Sequence, residues 1–389
     1  MIFVGIDVAC DKHNCCIINR QEKVLCEFEF ANSICGFDFL LSQIRKHSDD
    51  DKINIGLEAT GIYGDNLVAF LHKNNLETIT INPLVVKKFL SASSLRKTKT
   101  DKSDARFLAH LVIQEFSEPD TPISYHISEL KSLTRFRNQA VIDRSRFKIR
   151  AKRLITMLFP EFKTLFTDCF SASAIAVLKK YPSAHHLAKA RISTLTNILY
   201  EASRGRYNYD TAVYIKNIAI HSVGQFSAAK VFDLVFCVSQ IEIFNNYIKS
   251  IESQIKEIMD KIDSPITSFV GIGYVLGATI LAEIGDISRF SSSNKLQAFA
   301  GLDPSIYQSG KFTPSSGSMV KHGSPYLRNA LILASRIIVR FDDTFSNYFN
   351  KKINEGKHYN VAISHVAKKL VRIIFHLLSK NIDFHKNFA

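Results

Sequence analysis

Four acidic residues occupy positions where carboxylates could do chemistry together. Asp7 and Glu58 each close a short apolar run and follow a glycine by two residues, in the motifs Gly-Ile-Asp and Gly-Leu-Glu. Asp101 and Asp104 are three residues apart, which places them on one face if the segment is helical. Carboxylates that converge from two strands and a helix would form an oxygen site for Mg²⁺. Two such ions can stabilise phosphodiester displacement, although aspartates at a helix start also serve as simple caps.

The elements that must position these acids form an α/β pattern over the first 118 or so residues. Apolar alternation predicts strands at 2–8, 13–19, 23–29, 53–58 and 77–81, with amphipathic helices at 36–47 and 63–74. Three consecutive strands followed by alternating helix and strand indicate a sheet of mixed direction. With the spacing of the acids, the segment resembles the RNase H-like fold of RuvC-type Holliday-junction resolvases.

Two long helices are predicted in the middle of the chain. Residues 127–158 contain no Gly or Pro and carry heptad-like apolar positions, and residues 239–262 repeat that character, so an antiparallel coiled coil is expected. Between Lys131 and Arg153, the first helix has a single acid, Asp143, within a basic stretch. A solvated coiled-coil face normally mixes charge signs, so we predict that this stretch binds a phosphate backbone. Its basic residues are Lys131, Arg135, Arg137, Arg144, Arg146, Lys148, Arg150, Lys152 and Arg153.

The C-terminal part, residues 265–389, is mostly helical and is interrupted by a Ser/Gly/Lys-rich loop at 303–325. Gly271 and Gly273 predict a tight turn between two helices, typical of a helix-hairpin-helix that aims amides at a phosphate, or of an ordinary turn between helices. Cations in the loop could activate a serine nucleophile and stabilise a transferring phosphoryl group. The loop and its flank carry Ser305, Tyr307, Ser309, Ser315, Ser316 and Ser318 beside Lys311, Lys321, His322 and Arg328.

Charge points to the same class of partner. Fifty Lys and Arg against 36 Asp and Glu give a net charge of +14, which attracts polyanions such as nucleic acids. Asp7 interrupts the N-terminal apolar run before a signal-peptide core could form, and no run approaches the ~18 apolar residues of a membrane span. The sequence therefore predicts a cytoplasmic protein with no membrane partner.

Several motifs in order carry a resemblance to a known family. They are GID at 5–7, LEATGIYG at 57–64, INP at 81–83, KTDKSDA at 99–105, VGIGYVLGATILAEIGDISRF at 270–290 and AGLDPSIYQSGK at 300–311. Together they resemble the DEDD transposases of the IS110 insertion-sequence family over nearly the whole chain, most weakly at 160–240.

The resemblance implies a RuvC-like RNase H-fold domain at 1–118, a coiled-coil region at 119–264 and a C-terminal serine transposase domain at 265–389. By motif, the acidic tetrad is Asp7, Glu58, Asp101 and Asp104, with Mg²⁺ as cofactor. The catalytic serine is Ser309, a register that depends on Gly310 and the downstream KHG because Gln308 replaces a serine found in many relatives.

The family also implies the partners. A bridge RNA pairs with donor and target DNA, the protein acts as a homo-oligomer, dimer or tetramer, and its location is the prokaryotic nucleoid. Two alternatives stay open. A DNA invertase of the same family shares these domains, and a Mg²⁺-dependent resolvase-like nuclease would use the tetrad to activate water and leave Ser309 a loop residue.

Overall fold

The computed structural model describes residues 1–48, 52–58, 63–81, 83, 86, 101–114, 125–262, 264–304 and 319–384. The chain divides into two compact units, Met1–Pro122 and Ile123–Ala389. No helix within the described ranges is long and apolar enough to cross a membrane.

The first unit is built on a five-stranded sheet of mixed direction with strand order β3-β2-β1-β4-β5. β1 pairs antiparallel with β2 and parallel with β4, and β5 extends the parallel part. The predicted α/β character of this region is confirmed, with strand bounds within about two residues of those expected from the alternation. The elements are β1 Ile2–Asp7, β2 Lys12–Asn19, β3 Val24–Ala31, α1 Ile34–Ser48, β4 Ile53–Glu58, α2 Asp65–Lys73, β5 Thr78–Ile81 and α3 Asp101–Gln114.

Helices cover both faces of this sheet. Because successive side chains of a strand point to opposite faces, Val4 and Ile6 enter one apolar core with residues of α1 and α2. Phe3 enters a second core on the other face, where it packs with Ala105 and Leu108 of α3. Gly5 and Asp7 share the face of Phe3, so the acid at the end of β1 lies on the side that α3 covers.

The described part of the second unit is helical apart from an isolated β-bridge between Pro304 and Met319. Its α-helices are α4 Tyr125–Leu158, α5 Phe162–Leu165, α6 Ala172–Lys180, α7 Ala184–Ala188, α8 Ile192–Ser203, α9 Tyr209–Ile220, α10 Ala228–Met259, α11 Tyr274–Ile284, α12 Ser293–Phe299, α13 Pro325–Ile338, α14 Asp343–Asn354 and α15 Tyr359–Lys380. A helical C-terminal part, as predicted, is confirmed.

The two long helices α4 and α10 pack against each other in opposite directions. Arg150 near the end of α4 pairs with Asp233 near the start of α10, and Arg137 pairs with Glu252 further along. One end of the pair packs in a core with the C-terminal helices, and the other end packs in a core with α5 to α9.

The second long helix begins eleven residues earlier than the sequence predicts, at Ala228 instead of residue 239. Its first turns are rich in Val, Phe and Cys, which are poor helix formers. Burial of Leu234, Cys237 and Val238 in the core with α5 to α9 stabilises the helix there. Tertiary packing therefore overrides local propensity.

Candidate active site

Asp7 and Glu58 lie at the carboxyl ends of two adjacent parallel strands. In the register of β1 and β4, Gly5 pairs with Gly56 and Ile6 with Leu57. Asp7 and Glu58 are the next residues of the two strands, and both are partly buried. Parallel neighbours are about 4.8 Å apart, so the sheet brings these two predicted acids together on one face.

The glycines two residues before the acids allow α3 to lie directly on this face. A methyl group at Gly5 would overlap the backbone of Ala105 and Ala109, and one at Gly56 would overlap the side chain of Val112. Each motif thus combines a carboxylate with a small residue for a specific reason. The absent side chain admits the helix that carries the other two acids.

Two side-chain contacts define the direction of α3 across the sheet. Arg106 pairs with Glu27 at 2.7 Å, and Glu27 lies at the level of Gly5 through the pairing of both residues with Cys16. His110 lies 3.4 Å from Glu22 in the turn between β2 and β3, near the level at which β1 begins. The helix therefore runs antiparallel to β1, and its first turn is directed toward the edge of the sheet at which β1 ends.

The first turn of α3 contains the other two predicted acids. Asp104 is partly buried and precedes Ala105, whose backbone lies against Gly5. Asp101 begins the helix, although its side chain lies outside the described residues. The described structure therefore assembles Asp7, Glu58 and the start of α3 on one side of one sheet edge.

The donor types at this edge fit a hard divalent cation. Carboxylate oxygens are the ligands Mg²⁺ prefers, and the nearby thiol of Cys16 stays protonated because burial, and then Glu27, raises its pKa to about 12. Among the side chains that the structure describes, no group of three or more His, Cys, Asp or Glu residues is arranged to hold a metal ion.

The serine loop of the second unit is described at its two ends, which are held together. Val320 donates its backbone N–H to the carbonyl of Asp303 at 2.9 Å, and Pro304 forms a β-bridge with Met319. We call residues 299–304 and 319–324 the loop neck. Ser309 and Lys311, two of the predicted site residues, lie outside the described residues.

A buried acid that sequence analysis missed lies under the loop neck. The side chain of Glu283 in α11 is only 3% exposed and accepts hydrogen bonds from Arg135 and Ser324. The sequence does contain a signal for it. An acidic residue near the end of the otherwise apolar helix YVLGATILAEI needs a partner if it is buried.

Comparison with known proteins matches both units. The family model for DEDD transposases of the IS110 type, described as Transposase, matches residues 4–160, and a second model, described as Transposase IS116/IS110/IS902 family, matches residues 263–350. The chain belongs to the IS110 family of transposases. It is therefore a DNA transposase or recombinase, and the two matched ranges include all five residues predicted to be catalytic.

Relatives extend over almost the full length of this transposase. The candidate transposase of the IS117 mini-circle of Streptomyces coelicolor is 22% identical, with 100% of this chain and 96% of the relative covered. An uncharacterized 42 kDa protein of insertion element IS900 from Mycobacterium paratuberculosis is 24% identical, with 99% and 97% covered. The pilin gene-inverting protein of Moraxella lacunata is 22% identical, with 99% and 98% covered.

Most of the basic residues predicted to bind nucleic acid on α4 of this transposase contact other side chains of the second unit. Arg135, Arg137 and Arg150 pair with carboxylates of α11 and α10. Arg144 donates to Asn245 at 2.9 Å, Arg146 pairs with Asp143, and Lys148 lies over the ring of Phe170. The excess of positive charge along α4 is thus partly balanced by acids that lie far away in the sequence.

Other predicted nucleic-acid contacts of the transposase occupy the turn before α11 and the loop neck. Gly271 has a positive φ of 90° and Gly273 caps α11, preceded by a 3₁₀ turn at Pro265–Ser268. Lys321 is exposed. Arg328 donates to the carbonyls of Ala300 and Lys321 at 3.2 and 3.3 Å, so it also holds the neck closed.

The close approach of α3 leads to a prediction about Gly5 of the transposase. Replacing Gly5 with Ala should lower the free energy of unfolding by about 1–3 kcal/mol, because the methyl group meets helix backbone that cannot rotate away. Urea unfolding measures this. Gly64→Ala is the control, since a methyl group there would lie 3.7 Å from Val8, an ordinary contact. Equal stability of the two variants would contradict the packing of α3 on Gly5.

Proposed function

We propose that this transposase cuts and rejoins DNA by a serine nucleophile, Ser309, assisted by Mg²⁺ at Asp7, Glu58, Asp101 and Asp104. The observation that carries the proposal is the placement of Asp7 and Glu58 on the sheet face onto which the first turn of α3 is directed. We infer a RuvC-like domain at 1–118, a coiled-coil region at 119–264 and a serine transposase domain at 265–389, which the mixed sheet and the antiparallel helices support.

In the proposed reaction the hydroxyl oxygen of Ser309 forms a bond to a DNA phosphorus, and the bond from that phosphorus to a deoxyribose oxygen breaks. The serine proton leaves, and the departing deoxyribose oxygen gains a proton. A deoxyribose hydroxyl of another strand then attacks the phosphoserine and restores the serine, so the number of phosphodiester bonds is conserved. Divalent ions held by the tetrad, when bound, would activate and stabilise the oxygens of this displacement.

We infer that a bridge RNA selects the donor and target DNA. The net charge of +14 supports binding of nucleic acid through counterion release. We further infer a homo-oligomer, a dimer or tetramer, because each serine can hold one strand end, so that exchange of several strands needs several copies.

DNA inversion is a second candidate function within the same chemistry. A relative named as a pilin gene-inverting protein aligns with 99% of this chain, which favours it specifically. Transposition and inversion differ in where the two recombining sites lie, so the same protein residues would serve both. A resolvase-like nuclease would instead leave hydrolysed ends.

The products distinguish recombination from hydrolysis. Purified protein with its co-purifying RNA is incubated in Mg²⁺ with a plasmid that carries two copies of its recombination site, and the junctions are sequenced. Rejoined junctions, together with an RNA whose segments are complementary to both sites, are expected. Free phosphate and hydroxyl ends with no rejoined junction would favour the nuclease.

The basic stretch of α4 gives a prediction about affinity. Changing Arg144, Arg146 and Arg150 to Gln should flatten the plot of log affinity for DNA or RNA against log salt, by about 0.9 for each phosphate that the protein no longer neutralises. The control is Lys179→Gln, because Lys179 lies on α6, outside the predicted basic stretch, and pairs with Glu242 at 2.9 Å while it is 52% exposed. The same slope for the triple variant and the wild type would reject this surface as a phosphate-binding surface.

A further inference from the structure

The side-chain carboxyl group of Glu283 is buried in apolar surroundings. Its neighbours Leu281, Ala282 and Ile284 belong to one of the apolar cores of the second unit, and its side chain is 3% exposed. A buried carboxylate costs free energy unless it is paired and hydrogen-bonded. Packing alone would need only an apolar side chain at this position. The hydrogen-bond partners of Glu283 therefore indicate the role of its carboxylate.

Two residues bind this carboxylate, one that precedes it in the sequence and one that follows it. Arg135 of α4 donates from Nε to Oε1 at 2.8 Å and from Nη2 to Oε2 at 3.1 Å, a two-point pair of fixed geometry. Its guanidinium also lies 4.8 Å from the ring centre of Tyr326. The hydroxyl of Ser324 donates to Oε2 at 2.7 Å. Glu283 therefore joins α4 and α11 to the start of α13.

Ser324 is the point at which the serine loop returns to the helical body. Its hydroxyl also accepts from the backbone N–H of Leu327 and so caps α13, while its own N–H donates to the carbonyl of Phe299 at 3.0 Å. Gly323 has φ of 102°, and a methyl group there would overlap the same carbonyl. The hydrogen bond from Ser324 to Glu283 thus fixes the position of residues 319–324, the second half of the loop neck.

We propose that Glu283 is a positioning residue, which through Ser324 holds the loop neck in the geometry that presents Ser309 to DNA. The inference rests on the proposed role of Ser309. Ser309 lies in the sequence between the bridged ends of the loop, Pro304 and Met319, so the loop neck fixes the two points at which the serine loop joins the helical body. Glu283 itself acts at a distance from the substrate.

Removal of one hydroxyl tests the proposal. In Ser324→Ala, the single-turnover rate of DNA strand cleavage at saturating DNA should fall about tenfold or more, while the Kd for DNA changes less than about twofold. Ser324→Thr keeps the hydroxyl and should restore most of the rate. The matched control is Ser335→Ala, because Ser335 is a buried serine within α13 whose hydroxyl donates to the carbonyl of Leu331 at 2.7 Å, away from the neck.

The temperature of the assay is set well below the melting temperature of every variant, so that loss of folded protein does not lower the rate. Should Ser324→Ala fold poorly, Ser324→Gly replaces it, since glycine is a better residue than alanine at a helix start and also lacks the hydroxyl. A folded variant without the hydroxyl that cleaves at the wild-type rate would overturn the proposal. Ser309→Ala in the same assay tests the nucleophile separately. Cleavage by this variant would reject the proposed function, independently of the rates of the Ser324 variants.

Discussion

Asp7→Asn and Glu58→Gln should each reduce the rate of DNA strand cleavage in Mg²⁺ by about a thousandfold or more, while the melting temperature changes little. Each substitution keeps the size of the side chain and removes one negative charge from the edge at which β1 and β4 end. Loss of a charged ligand lowers the affinity for a divalent cation. The rate is measured in a single turnover, with thermal unfolding measured on the same samples.

The matched control for these variants is Glu22→Gln. Glu22 lies in the turn between β2 and β3, near the level at which β1 begins and so at the other end of β1 from Asp7, and its side chain is 56% exposed. We expect cleavage within about twofold of the wild type, since single exposed ion pairs contribute little to stability. Undiminished cleavage by Asp7→Asn or Glu58→Gln would show that these acids hold no catalytic ion.

Ser309→Ala should abolish strand cleavage, with a loss of about a thousandfold or more, because no other group of the chain is proposed to bond to phosphorus. Affinity for DNA should change less than about twofold, since one hydroxyl adds little to a phosphate-dominated interface. Single-turnover cleavage and DNA binding are compared in parallel. Ser305→Ala and Ser316→Ala, from the same loop, serve as controls.

The alternative outcomes of this experiment are distinct. If Ser309→Ala still cleaves DNA and leaves free phosphate and hydroxyl ends, water is the nucleophile and the protein acts as a nuclease. If a different serine variant of the loop is inactive instead, the register assigned through Gly310 and the downstream KHG is incorrect.

The sequence predicts the sheet and the placement of its acids because both depend on short-range patterns. Period-two alternation gives the strands, and the glycine two residues before each acid shares its face. Direct contact of Gly5 with α3 explains why those motifs recur around Asp7 and Glu58. Short-range sequence patterns are therefore sufficient to predict most of the candidate metal site at this sheet edge.

Partners that lie far apart in the sequence could not be predicted in the same way. The helix α4 contains one acid between Lys131 and Arg153, yet three of its arginines reach Asp233, Glu252 and Glu283. Those acids are 83 to 148 residues away, and their pairing depends on how α4, α10 and α11 pack. The charge of a helix face therefore indicates a nucleic-acid partner only when the acids of the helices packed against that face are also known.

A covalent complex between DNA and the protein distinguishes a serine nucleophile from activated water, since a serine nucleophile must pass through a phosphoserine whereas water activation need not. The DNA substrate carries a nick near the cleavage position, so that cleavage releases a short fragment bearing the deoxyribose hydroxyl. Once this fragment diffuses away it cannot attack the phosphoserine, and the covalent complex should accumulate. Peptide mapping then identifies the modified residue. We expect a phosphoester on Ser309 that is absent in Asp7→Asn. A phosphoester on Tyr307 or Ser316, or cleaved DNA with no covalent complex under these trapping conditions, would contradict the assignment of Ser309 as the nucleophile.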